Sequence, residues 1–481
     1  MPVNSAVVTK PVFNKVQRTL PALVASALLT VCPLNAVADN QTTGSDSGLR
    51  QLTTENGHQF WYYPMPQASR TAVAVTWKQG VPVDKTTHPG TARLGIEVML
   101  NGGAGDRDAA QIVADYQDLD SGSGLWVQPG YVAGFIVAPD QHLSTAREIA
   151  HQVLTEPRFE QRWFNREQQK LIEGEREGDS NSWGMAWDVV REVLLTEHPY
   201  KNFWSLSPTD KLASITLNDI TKWHKNSFSS KTAIVAIAGS ASPEVAATEL
   251  DQLFAGMPNT AARTPIEFRQ PVAPAKTILL HNPDAPKTVL TIVGNFPAHN
   301  ECTNLPLQLA VGVLGYGKQS RLFKSVRAGL GASYGFGAGI FDFTRSYRML
   351  EMSGEIETGQ LSEALEEIEQ AYEKFRQSGI GRLEFPVATR ILKRESAKQF
   401  QNPVNMAFTV SEAVQNNFST SYVASLSERI EQLNRKDTNE VISASFPEFS
   451  ALTKVIVSPD RNAIAGACII ETIEQAASCL K

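Results

Sequence analysis

The eight histidines are the first place to look for acid–base or metal chemistry, and their spacing supplies none. His58, His88, His142, His151, His198, His224, His281 and His299 contain no pair four residues apart. No two imidazoles therefore share one face of a helix, as an H-E-x-x-H or H-x-x-E-H metal site needs. G-x-S-x-G, Walker and dinucleotide-binding motifs are also absent. The stretch GLGASYGFG (329–337) is Gly-rich but lacks the Lys and following Ser/Thr of a phosphate loop. The most distinctive segment is GKQSRLFKSVRAGLGASYGFGAG (317–339). Its pattern predicts a helix over about 319–328, a Gly-rich turn, and a strand beginning at Tyr334. Arg327 ends that helix, and the turn can bring its guanidinium to the Tyr334 phenol. Two donors converging in one place suit a peptide carbonyl or an oxyanion. The plainer alternative is a surface arginine complementing a helix dipole beside a half-buried strand tyrosine.

A second segment, GTARLGIEVMLNGG (90–103), reads as a helix with one acidic residue, Glu97, in its middle. Arg93, Glu97 and Asn101 recur at i, i+4 and i+8 and form a polar stripe. An Arg93–Glu97 pair in this order contributes about 0.2–0.5 kcal/mol. A structural role for Glu97 is the expectation.

The elements that position these residues occur twice. TAVAVTWKQG (71–80) and TVLTIVGNFP (288–297) both read as strands, each followed by a polar loop and an apolar helix ending in glycine. QHLSTAREIAHQVL (141–154) matches GQLSEALEEIEQAY (359–372) as an amphipathic helix. LNDITKWHKNSFSSKTAIVAIAGS (217–240) matches LNRKDTNEVISASFPEFSALTKVIVSPD (433–460) as helix, loop and buried strand. Between the copies, residues 257–276 hold four prolines and little apolar periodicity, a linker signature. The same order in both copies predicts a duplicated α+β fold, with domains at 39–256 and 277–481.

Composition agrees with a globular protein: 481 residues, 42% hydrophobic and 20% charged. A net charge of −6 gives no basic footprint for nucleic acid. Residues 1–38 read as a signal peptide, with Lys10, Lys15 and Arg18 before the apolar run LPALVASALLTV and an A-x-A site ending at Ala38. The run is too short to span a membrane, and no transmembrane segment follows it. The expectation is a periplasmic or secreted protein. After cleavage Cys302, Cys468 and Cys479 remain. In an oxidising compartment a Cys468–Cys479 disulfide is expected to tie down the C-terminal tail, and at least one of the three is expected to be unpaired.

The 317–339 segment resembles the second-domain motif of the pitrilysin/insulinase-like metallopeptidases, the inverzincins. Ser320, Arg321, Leu322, Phe323, Arg327 and Tyr334 stand at matching positions, and Leu330-Gly331-Ala332-Ser333 departs mildly from the motif. EHPYKNFW (197–204) resembles the family's H-P-Y loop, and AIVAIAGSASPEV (233–245) its closing strand and turn. The resemblance implies two homologous domains, each a mostly antiparallel sheet packed by helices on one face. In that family the first domain carries H-x-x-E-H, with a glutamate downstream as third zinc ligand. Aligned through MLNGG, the histidines fall at Leu94 and Val98 and the base at Glu97. Aligned through Gly90, they fall at Arg93 and Glu97, with Ile96 as base. The downstream ligand matches Glu173. Neither register supplies a histidine, so the chain departs from the active pattern and no metal is expected in it. The resemblance implies the non-catalytic subunit of a heterodimeric zinc metallopeptidase. Arg327 and Tyr334 would hold the peptide substrate and support the transition state, and a homologous partner subunit would carry zinc. GSGLWVQPGYVAGFIV (122–137) reads as an ordinary sheet strand, with an edge for peptide β-addition as the alternative. The alternative is an inactive scaffold or peptide-binding protein with no part in catalysis.

Overall fold

The structure is a computed structural model that describes residues 48–77, 90–128, 130–195, 198, 201, 209–259, 271–344 and 346–480. The signal segment 1–38, its cleavage point at Ala38, and residues 260–270 of the proposed linker lie outside the described residues.

The first half contains β1 (Arg50–Thr53), β2 (Gln59–Pro64), β3 (Arg70–Trp77), α1 (Thr91–Asn101), α2 (Ala109–Asp118), β4 (Gly122–Gln128) and β5 (Tyr131–Pro139). It continues through α3 (Leu143–Thr155), α4 (Gln161–Ser180), α5 (Ser182–Leu194), α6 (Leu217–Ser227), β6 (Ala233–Gly239) and α7 (Pro243–Leu253). The second half contains β7 (Thr277–His281), β8 (Thr288–Phe296), α8 (Asn304–Gly315), β9 (Phe336–Thr344) and β10 (Tyr347–Ile356). It continues through α9 (Leu361–Ser378), α10 (Glu384–Gln399), α11 (Pro403–Gln415), α12 (Arg435–Ser445), β11 (Thr453–Ser458) and β12 (Cys468–Ile470).

Two six-stranded sheets result, ordered β1-β2-β6-β3-β5-β4 and β12-β7-β11-β8-β10-β9. Five strands of each correspond one to one, β2-β6-β3-β5-β4 with β7-β11-β8-β10-β9. In both sets the first pair is parallel and the others antiparallel. The sequence pairs fall on equivalent elements: β3 with β8, α1 with α8, α3 with α9, α6 with α12, β6 with β11. The sixth strand differs. β1 is antiparallel to β2, whereas β12 is parallel to β7.

The central strands are buried on both faces, and their side chains show why. In β3, Val73, Val75 and Trp77 enter a core with Ile96 and Met99 of α1 and Leu143 and Ile149 of α3. Ala72 and Ala74 face the other way, with Ala236 and Ala238 of β6, against Met406, Ala407, Val410 and Ala413 of α11. Small residues on the sheet let the helix lie close. The second sheet repeats the arrangement. Leu290 and Ile292 of β8 join the core under α8 and α9. Val289, Val293, Val455 and Val457 meet Ala186, Val189, Val190 and Val193 of α5. Each half therefore covers the second face of the other half's sheet with one helix. That exchange explains strands without polar alternation, since neither face of a central strand meets water.

The C-terminal residues close over α5, where the turn Ile473–Leu480 packs. Cys468 and Cys479 are joined by a disulfide with Cα atoms 5.8 Å apart. Cys302 is disulfide-bonded as well. The expected unpaired thiol concerns the chain cleaved after Ala38, which carries three cysteines.

Candidate functional site

Helix α1 is fixed on two sides before any polar group is considered. Gly95 faces α6: a Cβ there would lie 2.6 Å from the Trp223 ring, so only glycine permits this approach. Leu94 and Val98 are buried against Phe164, Leu171 and Ile172 of α4. Arg93 is left half-exposed (48%), and its Nη1 donates to Glu175 Oε1 at 2.8 Å, a carboxylate only 10% exposed. The expected Arg93–Glu97 pair is thus corrected. The guanidinium crosses to α4 because a buried carboxylate gains more from a charged donor than a solvated one does. Glu97 is partly buried, and Asn101 Nδ2 donates to its carbonyl at 2.8 Å and to its Oε2 at 3.4 Å.

The proposed third-ligand position is corrected too. Glu173 is on the exposed side of α4, accepting from Gln169 Nε2 at 2.8 Å. Glu175 shares the buried face with Leu171 and Ile172, at the i+4 and i+3 spacings that place residues on one side of a helix. That spacing was the available signal, obscured by the charged run around it. The residues here do not fit a catalytic zinc ion. One candidate pair of ligand positions, Leu94 and Val98, is packed in hydrocarbon. The other, Arg93 and Glu97, offers a cation already bonded to Glu175 and one carboxylate. Zinc requires about three good donors, with nitrogen or sulfur preferred.

In the second half, Ser320 Oγ accepts the Phe323 N–H at 3.4 Å and starts a short helical turn, Arg321–Phe323. Arg321 locks it in place: Nη2 donates to Glu384 Oε2 at 2.7 Å and to the Gly379 carbonyl at 2.8 Å. Leu322 and Val326 are fully buried in the core beneath. The turn widens into a π-helical segment, Lys324–Gly329, the kind of local irregularity that recurs at functional sites. Gly331 then adopts φ +73°, which lets the chain reverse toward β9. The strand starts at Phe336, two residues later than expected, so Tyr334 belongs to the turn. It is 82% exposed because no sheet neighbour covers it.

The turn brings Arg327 and Tyr334 together. Arg327 Nη1 donates to the Tyr334 carbonyl at 3.0 Å. Its guanidinium lies 4.4 Å from the centre of the Tyr334 ring and 5.8 Å from that of Phe323. Stacking at an exposed site contributes about 0.5–1 kcal/mol, enough to favour one orientation. Among the described residues no carboxylate pairs with Arg327 and no hydrogen bond reaches the Tyr334 hydroxyl. What remains is an ordered cation with unused N–H groups beside an exposed phenol. Such a pair can bind a carbonyl, a carboxylate or developing negative charge. It contains no nucleophile and no general base, so it assists chemistry supplied from elsewhere.

Of the 197–204 stretch, only His198 and Lys201 lie within the described residues, and the rest of the H-P-Y loop falls outside them. Residues 122–137 form the β4–β5 hairpin except for Pro129, which is outside the described residues, and β4 is an edge of the first sheet. No described helix is long and apolar enough to cross a membrane.

Residues 214–392 match the family model of the peptidase M16 inactive domain. A search of curated protein sequences finds no match. Similar folds occur in the peptidase M16 inactive domain from Pseudomonas fluorescens (18% identity, 86% of this chain and 98% of that one, TM-score 0.75). A protease from Helicobacter pylori is also similar (18% identity, 85% and 99%, TM-score 0.74). The periplasmic protease PqqL from Escherichia coli aligns over 91% of this chain but 50% of its own length (13% identity, TM-score 0.68).

Proposed function

Starting from a chain that resembles the insulinase-like, M16-type peptidases and whose matched domain is their inactive one, we propose that it is the non-catalytic subunit of a heterodimeric zinc metallopeptidase. A homologous partner carries the zinc. This chain binds the extended peptide and supports its hydrolysis through Arg327 and Tyr334. The observation that carries the reading is the contrast between the two halves. Positions that would hold zinc on α1 are filled by hydrocarbon or by a paired arginine, while Arg327 and Tyr334 are ordered, exposed and uncompensated.

In this reading the Arg327 N–H groups not used on the Tyr334 carbonyl hold the substrate carbonyl oxygen. The Tyr334 hydroxyl donates a second hydrogen bond to it. Both interactions strengthen as negative charge develops there, which is how such donors accelerate acyl chemistry. The zinc chemistry belongs to the partner. PqqL aligns over half of its own length, so one such unit there sits within a chain about twice this size. The domain limits are 39–256 and 277–481 with 257–276 between them. The signal segment 1–38, cleaved near Ala38, takes the chain to the periplasm or outside the cell.

The second reading is an inactive scaffold or peptide-binding protein, favoured by the match of residues 214–392 to an inactive domain. Reconstitution separates the two. The mature chain is mixed with a homologous H-x-x-E-H subunit, and peptide cleavage is measured with wild-type, Arg327→Ala and Tyr334→Phe forms. Proteolysis unchanged by both substitutions would leave only the scaffold.

A further inference from the structure

A second polar cluster lies away from both arginine sites, where the two halves meet. His299 follows β8, Asp342 is on β9, and Glu412 is on α11, the helix that covers the first sheet. One ligand atom from each lies within 4.8 Å of the others. His299 is buried (3% exposed), and its Nε2 faces Asp342 Oδ1 at 3.3 Å. Its Nδ1 is buried with no hydrogen-bond partner, so the ring has one usable polar direction, toward the carboxylates. The Phe418 ring packs edge-on at 6.0 Å and helps fix that direction.

Two carboxylates share the cluster with one fixed cation, Arg348. Arg348 Nε donates to Asp342 Oδ1 at 2.6 Å. Burial alone would raise the Asp342 carboxyl pKa, but His299 and Arg348 outweigh it and hold the group below its ordinary value. Asp342 is therefore an anion with its Oδ2 unused by any hydrogen bond among the described residues. Glu412 has neither hydrogen bond nor ion pair for its carboxyl among the described residues. It reaches solvent, yet protein crowds it, and that desolvation followed by repulsion from Asp342 raises its pKa. The Tyr131 phenol of β5 is shifted upward as well, by burial first and then by Glu412 and Asp342.

We propose that His299, Asp342 and Glu412 bind a divalent transition-metal ion that pins α11 to the second sheet. One imidazole with two carboxylates is a donor set for zinc or its neighbours and a poor one for calcium, which takes oxygen ligands alone. Arg348 takes the outer role of orienting a ligating carboxylate. Binding requires the three side chains to close slightly, since ligand bonds of about 2.0–2.2 Å place donors nearer together than the present spread. His299 ligates through Nε2, and any proton carried there passes to solvent. The ion neutralises the Asp342–Glu412 repulsion. Such a site would be structural, separate from α1 and from Arg327, and would add a cation to a chain expected to hold none.

The test uses the mature, tag-free chain after chelator treatment and dialysis, with zinc chloride as probe. Thermal unfolding and calorimetric titration are run on wild-type and Glu412→Gln. Glu412 is exposed, so its substitution leaves the fold intact. The expected result is one zinc per chain, a raised Tm, and zinc affinity weakened at least about 100-fold in the variant. Calcium chloride at the same concentration leaves Tm unchanged. His299→Gln, checked for native circular dichroism, abolishes the visible absorption of a cobalt-loaded site. The proposal is overturned if wild-type shows no zinc-dependent rise in Tm, if Glu412→Gln binds zinc as tightly as wild-type, or if calcium binds as well as zinc.

Discussion

Arg93 and Arg327 are both arginines held in place by a neighbour, but they are held in opposite ways. Arg93 is bonded to a carboxylate that is 10% exposed, and that carboxylate offsets its charge. Arg327 is held by an aromatic face and a backbone carbonyl, neither of which cancels its charge. A salt bridge closes a site, whereas a stack orients a cation and leaves it available. The two units share a strand order, so the difference is not one of fold. It comes from a few side chains at the rim of the same scaffold.

The comparison presumes a frame that keeps both rims in place, and the exchanged helices are that frame. Trp187 of α5 is buried at 2% and meets Phe341 of β9 with ring centres 5.2 Å apart. Trp187→Ala should cost about 3–5 kcal/mol in urea unfolding. A loss below about 1 kcal/mol would show that α5 is not a structural tie between the halves. The next effect contrasts the arginines directly. In a reconstituted pair, Arg327→Ala should lower kcat/KM about 100- to 1,000-fold. Arg93→Ala should leave turnover within about twofold once corrected for folded fraction. Equal losses from both would erase the distinction drawn here.

Removing the Cys468–Cys479 bond by Cys479→Ser should destabilise the chain by about 3 kcal/mol, read from its denaturation midpoint. Because that link ties the cover of α5 and not of α11, Met406→Ala should act independently of it, with additive effects. For Arg93→Ala itself, loss of the hydrogen bond to Glu175 predicts a cost of about 1 kcal/mol. Glu97→Gln should stay within about 0.5 kcal/mol. The smallest effect concerns pH. Hydrogen bonding from Arg321 holds the Glu384 carboxyl below its ordinary value against some desolvation. Its contribution is therefore present above the unfolded-state pKa, about 4.3, and lost as pH falls through the lower folded value. Glu384→Gln should flatten the acid limb of the stability profile below about pH 4.5. An unchanged limb would mean that Arg321 is not a titration-linked anchor for the Arg327 turn.

Much of this was legible in the chain. Duplication could be read because β3 and β8, or α3 and α9, carry the same apolar periods in the same order. Arg327 and Tyr334 could be placed together because seven residues with glycines between them permit one reversal. Pairing partners were less accessible. The stripe Arg93, Glu97 and Asn101 is a true helical periodicity, yet Arg93 takes Glu175, which is 82 residues away in sequence. His299, Asp342 and Glu412 carry no local signature, since each lies on a different element and the three meet only where α11 crosses the seam.

Sequence alone determined the kind of element, its repetition and the missing histidines of α1, because these follow from residue type and short-range period. Tertiary structure decided which charges are spent and which remain. It put α5 and α11 each on the other half's sheet, buried Glu175 but not Glu173, and left Arg327 without a counterion among the described residues. The physical reason is range: periodicity is set within a few turns of chain, whereas the fate of a charge depends on desolvation and on partners brought from far along it.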